Sequence, residues 1–100
     1  MPDVSLDKIS QGQYALKGVL MMHTVMSILS EFNGHLTKSK SDLTLDFSAV
    51  EKSDSAAVAL IISWLGKAKQ NGVNLHLHNL PQQILDIAKA SDLLDILPID

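Results

Sequence analysis

The sequence predicts one α/β domain over residues 1–100: a four-stranded mixed sheet with helices packed on one face, in the order β-β-α-β-α-β-α. Three observations predict it. Stretches of polar–apolar alternation are each apolar on one side only, so each strand has one buried and one solvated face. Between strands the hydrophobic period lengthens to the helical value, most sharply at Asp54, where the alternating run 43–48 gives way to apolar residues three and four apart. With 100 residues, 46% of them hydrophobic and 19% charged, the chain holds a single core with no room for a second.

Val4-Ser5-Leu6, within 4–9, and Tyr14 to Leu20, within 13–20, read as two strands joined in a hairpin at Gln11-Gly12. From about His23 to Lys38, Val25, Ile28, Leu29, Phe32 and Leu36 recur at helical intervals, with Ser27, Ser30, Gly34 and Lys38 opposite. Gly34 costs on the order of 1 kcal/mol against Ala, and marks where this helix would bend or end. The polar run from Thr37 to Asp42 is a surface connection. Leu43, Leu45 and Phe47 then alternate with Thr44, Asp46 and Ser48, the third strand, and a tight connection leads to Ser53.

In the helix that follows, Val58, Ile61, Ile62, Leu65 and Ala68 form the core stripe, with Trp64 at its flank as a core or rim residue. Ser53 or Asp54 caps the first turn by accepting a bond from an unpaired backbone N–H. Ser55 therefore sits at a helix N-terminus. Asn71-Gly72 ends this helix, and Val73 to His78 alternates as the last strand, with Asn74, His76 and His78 on its polar side. Pro81, whose missing N–H costs nothing in a first turn, opens the last helix. Ile84, Ile87, Ala88 and Leu94 continue its stripe, and Leu93 to Leu97 make an apolar patch before Pro98. No repeat, linker or low-complexity segment interrupts the chain.

The net charge of −3, scattered lysines and lack of any arginine argue against nucleic-acid binding, which needs Lys and Arg concentrated on one face. Zero cysteines exclude disulfide and thiolate chemistry and fit a reducing compartment. The start, Met1-Pro2-Asp3-Val4-Ser5, lacks the basic and apolar regions of a signal peptide, and no apolar run approaches the roughly 20 residues of a membrane span. A soluble, cytoplasmic protein with no direct membrane insertion is the expectation.

No constellation for catalysis stands out. His76 and His78 share a strand face, but a zinc site needs three or four convergent ligands, and no Asp or Glu lies at helical spacing from either. His23 and His35 bracket a helix and read as surface residues. Ser55 beside Asp54 is a pair of neighbours without a nucleophile elbow, and the five glycines stand singly, so no phosphate cradle forms. No catalytic residue, metal or cofactor is expected.

The informative feature is the second face of the central helix. Opposite the core stripe, a helical projection groups Ala56, Ala59, Leu60, Ser63, Gly66, Lys67 and Gln70, with Ser55 at the top. An exposed helix face is normally rich in Lys, Glu and Gln, whereas this one is small and weakly polar and admits close approach of another backbone. Either it packs beneath another element of the same domain or it is a docking face. Met21 and Met22, as adaptable apolar side chains, can extend it.

The run D-F-S-A-V-x-x-x-D-S-A-A-V-A-L-I-I, Asp46 to Ile62, resembles the signature of STAS domains, the anti-sigma-factor-antagonist family. In that signature a strand ends in D-[FL]-[ST] and a helix opens with D-[ST]-x-[GA]-[LV]. The runs A-L-I-I-S-W-L-G-K-A-K-Q-N-G (59–72) and I-A-K-A-S-D-L-L-D-I-L-P (87–98) are most similar to the MlaB-like branch, single-domain STAS subunits of phospholipid-transport ABC systems. The resemblance covers nearly the whole chain and implies the same element order. It implies a non-enzymatic subunit that binds the cytoplasmic ATPase of such a complex and is peripheral to the inner membrane through that partner. The contact face would comprise Asp54, Ser55, Ala56, Ala59, Leu60, Ser63 and Lys67. Ser55 matches the position that is phosphorylated in sigma-regulating members, so the alternative is an anti-sigma-factor antagonist that binds a serine kinase and is switched off at Ser55. A small-ligand carrier or enzyme is the third class, and homo-oligomerisation stays open.

Overall fold

In the computed structural model, which describes residues 3–39 and 42–98, β1 (Val4–Ser10), β2 (Gln13–Leu20), β3 (Leu43–Ser53) and β4 (Leu75–His78) lie side by side in that order. β1 and β2 form an antiparallel hairpin. β2, β3 and β4 run parallel, so α1 (Val25–Lys38) and α2 (Ser55–Gln70) are the crossovers that parallel neighbours require. α3 (Gln82–Ala90) and a 3₁₀ turn at Leu94–Ile96 follow β4. This is the predicted four-stranded mixed sheet and element order.

Alternation assigns the two faces. Leu16, Leu20, Leu45, Phe47 and Leu77 are buried beneath Ile28, Phe32 and Leu36 of α1, Ile61 and Trp64 of α2 and Ile84 of α3. Thr44, Asp46, His76 and His78 keep partial exposure on the other face. Trp64 is a core residue: its ring meets Phe32 edge-on at 4.9 Å, and its indole N–H donates to the Leu29 carbonyl at 3.3 Å. Gly18 has φ +99°, and a Cβ there would collide with the Asp3 carbonyl, whose oxygen accepts from the Val19 N–H at 2.8 Å.

Several boundaries differ from the pattern. β3 continues through Ala49–Ser53, read above as a connection, because the β2–β3 pairing shifts register between Ala15 and Lys17 and again between Gly18 and Val19. Backbone pairing carries that extension. Its side chains are mostly exposed, and periodicity is blind to it. α1 starts at Val25 rather than His23, since buried Thr24 accepts from the Met21 N–H at 3.0 Å and donates to the Val19 carbonyl at 2.6 Å, closing the loop first. The helix passes through Gly34 to Lys38, anchored on either side by Phe32 and Leu36.

Of the connection after α1, Lys40 and Ser41 lie outside the described residues, as do Met1 and Pro2 of the chain start. β4 begins at Leu75, with Val73 buried just ahead of it, and Pro81 stands at the cap of α3 rather than in its first turn. The terminal patch divides: Leu97 is buried and Leu93 and Leu94 pack against the core, while Ile96 is exposed. The Leu77 N–H donates to the Pro98 carbonyl at 3.2 Å, which ties the segment after the 3₁₀ turn to β4.

Candidate functional site

β3 delivers the chain to the head of α2, and the polar groups there have distinct tasks. Of the two cap candidates, Asp54 is the cap: its Oδ1 accepts from the Ala56 N–H at 2.8 Å. Its Oδ2 accepts from the Met22 N–H at 3.2 Å, which fastens the loop between β2 and α1 to the start of α2. Ser53 is buried and its hydroxyl donates to Gln83 Oε1 at 3.4 Å, so it belongs to the contact with α3. Ser55 is the first residue of α2 and is exposed.

Along α2, Ala59, Ser63, Gly66 and Gln70 are exposed and Ala56 and Lys67 half-buried, so the small, weakly polar face is uncovered over most of its length. Leu60 is the departure. The projection placed it outside, but it is only 4% exposed. The true core stripe is Ala57, Val58, Ile61, Trp64 and Ala68, rotated from the predicted one, with Ile62 and Leu65 half-buried at its other flank. The cause is α1, which packs beside α2 and shields Leu60.

The two helices leave a shallow apolar groove of about 210 Å³ between them. Ala56, Ala59, Leu60 and Ser63 form one wall, and Val25, Met26 and Leu29 form the other. Met26 is 69% exposed and Met22, near the groove's head, 76%. Of the predicted face, the structure thus brings four residues to the groove, sets Asp54 and Ser55 at the head of the same helix, and leaves Lys67 outside the lining. Sequence reasoning had Met21 and Met22 extending the face but missed the α1 wall, whose signal was Met26 and Leu29, spaced three apart and in helical register with Met22.

The histidines are elsewhere. His76 Nε2 lies 3.6 Å from Asp42 Oδ2, and His78 is the cross-strand partner of Asp46. Partial burial works to raise the Asp46 pKa, but hydrogen bonds from the Asn79 amide and from the Ser48 N–H and hydroxyl, with the nearby His78, hold it below the usual carboxylate value. His23 is exposed as expected. His35 corrects the surface reading: it is half-buried, stacked on Tyr14 with ring centres 4.5 Å apart, and its Nδ1 is 3.2 Å from the Tyr14 hydroxyl. Among the described residues no three His, Cys, Asp or Glu side chains converge as metal ligands, and no helix is long and apolar enough to cross a membrane.

A mixed sheet of this order, with Ser55 heading the second crossover helix, is the arrangement that the resemblance to STAS domains implies. The family model described as "Mlab, STAS domain" matches residues 8–98, and the chain belongs to that family. A search of curated proteins found no match. Among solved structures, the fold is similar to a chain of the Acinetobacter MlaFEDB complex in an ATP-bound conformation, with 22% identity, TM-score 0.77 and coverage of 88% of this chain and 93% of that one. It is similar to an anti-sigma factor antagonist from Mycobacterium paratuberculosis, with 16% identity, TM-score 0.79 and coverage of 99% and 87%. It also resembles the Bacillus cell fate determinant SpoIIAA in its phosphorylated form, with 15% identity, TM-score 0.70 and coverage of 97% and 90%.

Proposed function

We propose that this protein is a non-enzymatic STAS interaction subunit that binds and supports the cytoplasmic ATPase of a phospholipid-transporting ABC complex, and so sits at the inner membrane through its partner. The observation that carries the reading is the uncovered apolar groove between α1 and α2, flanked by exposed Met22 and Met26 and headed by Asp54 and Ser55. Small residues on one wall admit a partner backbone closely, and methionines on the other adapt to its side chains. The family description and the fold likeness to a chain of MlaFEDB support the choice of partner. Affinity purification of the tagged protein from its own cell, followed by identification of bound chains, tests it. An ABC ATPase recovered with the wild type and lost with Ala59→Arg is the expected result, and recovery of no ATPase refutes it.

A second reading, an anti-sigma-factor antagonist that binds a serine kinase, is favoured by the exposure of Ser55 at the start of a 16-residue helix and by the likeness to phosphorylated SpoIIAA. A phosphate on Ser55 meets a helix end that attracts anions, yet adds about two negative charges beside the Asp54 carboxylate, which already holds the Ala56 and Met22 N–H groups. Modification there would expel a partner without unfolding the domain. A cognate kinase that phosphorylates the wild type and not Ser55→Ala would favour this reading.

A further inference from the structure

At the opposite pole of the sheet from Ser55, we propose a binding site for a phosphate group, in a cleft of about 170 Å³ between the β1–β2 turn and the last turn of α1. Lys8 from β1, Gly12 from the turn, Tyr14 from β2, and His35, Lys38 and Ser39 from the end of α1 converge on it. Tyr14 is 8% exposed yet lines the cleft, and its pairing with His35 holds the imidazole in place.

The charge of the lining selects an anion. Two of the chain's eight lysines meet here in a protein of net charge −3, and no Asp or Glu is among the lining residues. Of the acids next to lining residues, Asp42 is turned toward β4, where its carboxylate accepts from Asn74 Nδ2 at 3.1 Å and faces His76, and Asp7 is paired with Lys17. Lys8 and Lys38 make no ion pair among the described residues, in contrast to Lys17, whose Nζ is 2.9 Å from Asp7 Oδ2. The carbonyls ending α1 favour cations and by themselves account for His35 and Lys38. They do not account for Lys8. Lys8 is the register partner of buried Tyr14 and follows Val4 and Leu6 on the same side of β1, at the exposed end of the strand, so its charge stands beside the cleft and Tyr14.

Size narrows the ligand. The cleft is smaller than the roughly 300–1,000 Å³ of pockets that enclose drug-sized molecules, so it takes a phosphate or phosphomonoester head and not a whole nucleotide. Lysine ammonium groups bind phosphate as point charges, and the Tyr14–His35 pair adds one oriented donor, the tyrosine O–H or the imidazole Nε2–H according to the tautomer. The same chemistry arrives as free phosphate or as the head group of phosphatidic acid.

Amide NMR titration of the intact protein with inorganic phosphate, then with glycerol phosphate, is the test, with co-sedimentation on phosphatidylcholine vesicles with and without phosphatidic acid as its second arm. Saturable shifts centred on Gly12, His35 and Ser39 are expected, and Lys8→Gln and Lys38→Gln should each weaken binding about tenfold in a folded protein, with the melting temperature unchanged for Lys8→Gln and lowered by no more than a few degrees for Lys38→Gln, which leaves the helix end. Binding to phosphatidic acid vesicles that both variants lose assigns the source to a lipid head group; saturable binding to the soluble ligands alone assigns it to free phosphate. Unsaturable shifts scattered over all lysines, or vesicle binding indifferent to Lys8 and Lys38, would overturn the site.

Discussion

Asp54 and Ser55 are neighbours with separable duties, and single substitutions pull them apart. Asp54→Ala loses the cap on Ala56 and the tie to Met22 together, and should cost about 1–2 kcal/mol in urea unfolding. Ser55→Ala removes only an exposed first-turn hydroxyl and should cost at most about 1 kcal/mol, while Ser55→Asp stays folded with help from the helix dipole. Binding separates what stability does not: in a close-packed interface Ser55→Asp leaves a desolvated charge without a partner and should weaken association, whereas Ser55→Ala is tolerated. Equal affinity of Ser55→Asp and wild type in a titration would place the residue outside the interface. Asp46 gives a pH signature instead. Its folded pKa is depressed, so its contribution is complete above the unfolded value of about 3.9 and is lost as pH falls through the lower folded value. Asp46→Asn should flatten that part of the acid limb of melting temperature against pH, and leave the curve above about pH 5 with the same slope as wild type.

At the scale of the element, α2 must satisfy a core on one side and present a smooth face on the other. Ala59→Arg or Ser63→Arg puts a charge on an exposed position, which costs little in the free domain, but desolvates it in a packed interface. Melting temperature should hold while co-purification with the partner disappears. Parallel loss of both would mean the face is internal. Gly66 offers a test of opposite sign: a Cβ there meets nothing within 4 Å, so Gly66→Ala should stabilise the helix by up to about 1 kcal/mol and leave partner binding unchanged or weaker, never stronger. The strand–helix order was legible because β3 and β4 alternate between a buried and a more exposed side and apolar residues recur at helical spacing in the helices, whereas β2 buries Tyr14, Ala15 and Leu16 in succession. What escaped has physical causes. The extension of β3 is held by backbone pairing through two register shifts, and Leu60 is buried by α1, a neighbour that no projection of α2 alone contains. The α1 wall of the groove was written in Val25, Met26 and Leu29, but an exposed methionine reads as part of a wall only once its opposing helix is in place.

For the molecule as a whole, β2 separates two sites of different character. Gln13 pairs with Thr44 at the phosphate pole and Leu20 pairs with Ser53 beside the head of α2, a span of seven residue steps, roughly 23 Å at about 3.3 Å each. Charges that far apart on a solvated surface are screened beyond a Debye length of about 8 Å at physiological salt. The helices joining the poles are also rigid parts of one core, since α1 carries Phe32 against Trp64 of α2 near its middle and His35 at its far end. Direct electrostatic coupling is therefore largely screened, and stronger coupling has to travel through the α1–α2 packing. A double-mutant cycle on partner affinity with Lys38→Gln and Ala56→Ser reads that path, because one change lies at each pole and neither removes a core side chain. Independent sites give additive effects within about 0.5 kcal/mol. If phosphate at Lys8 and Lys38 instead regulates docking by shifting α1, the cycle should show a larger interaction energy in the presence of phosphate than without it, and partner binding should raise phosphate affinity by the same factor that phosphate raises partner affinity. Additivity under both conditions excludes regulation and leaves two independent binding sites on one small sheet.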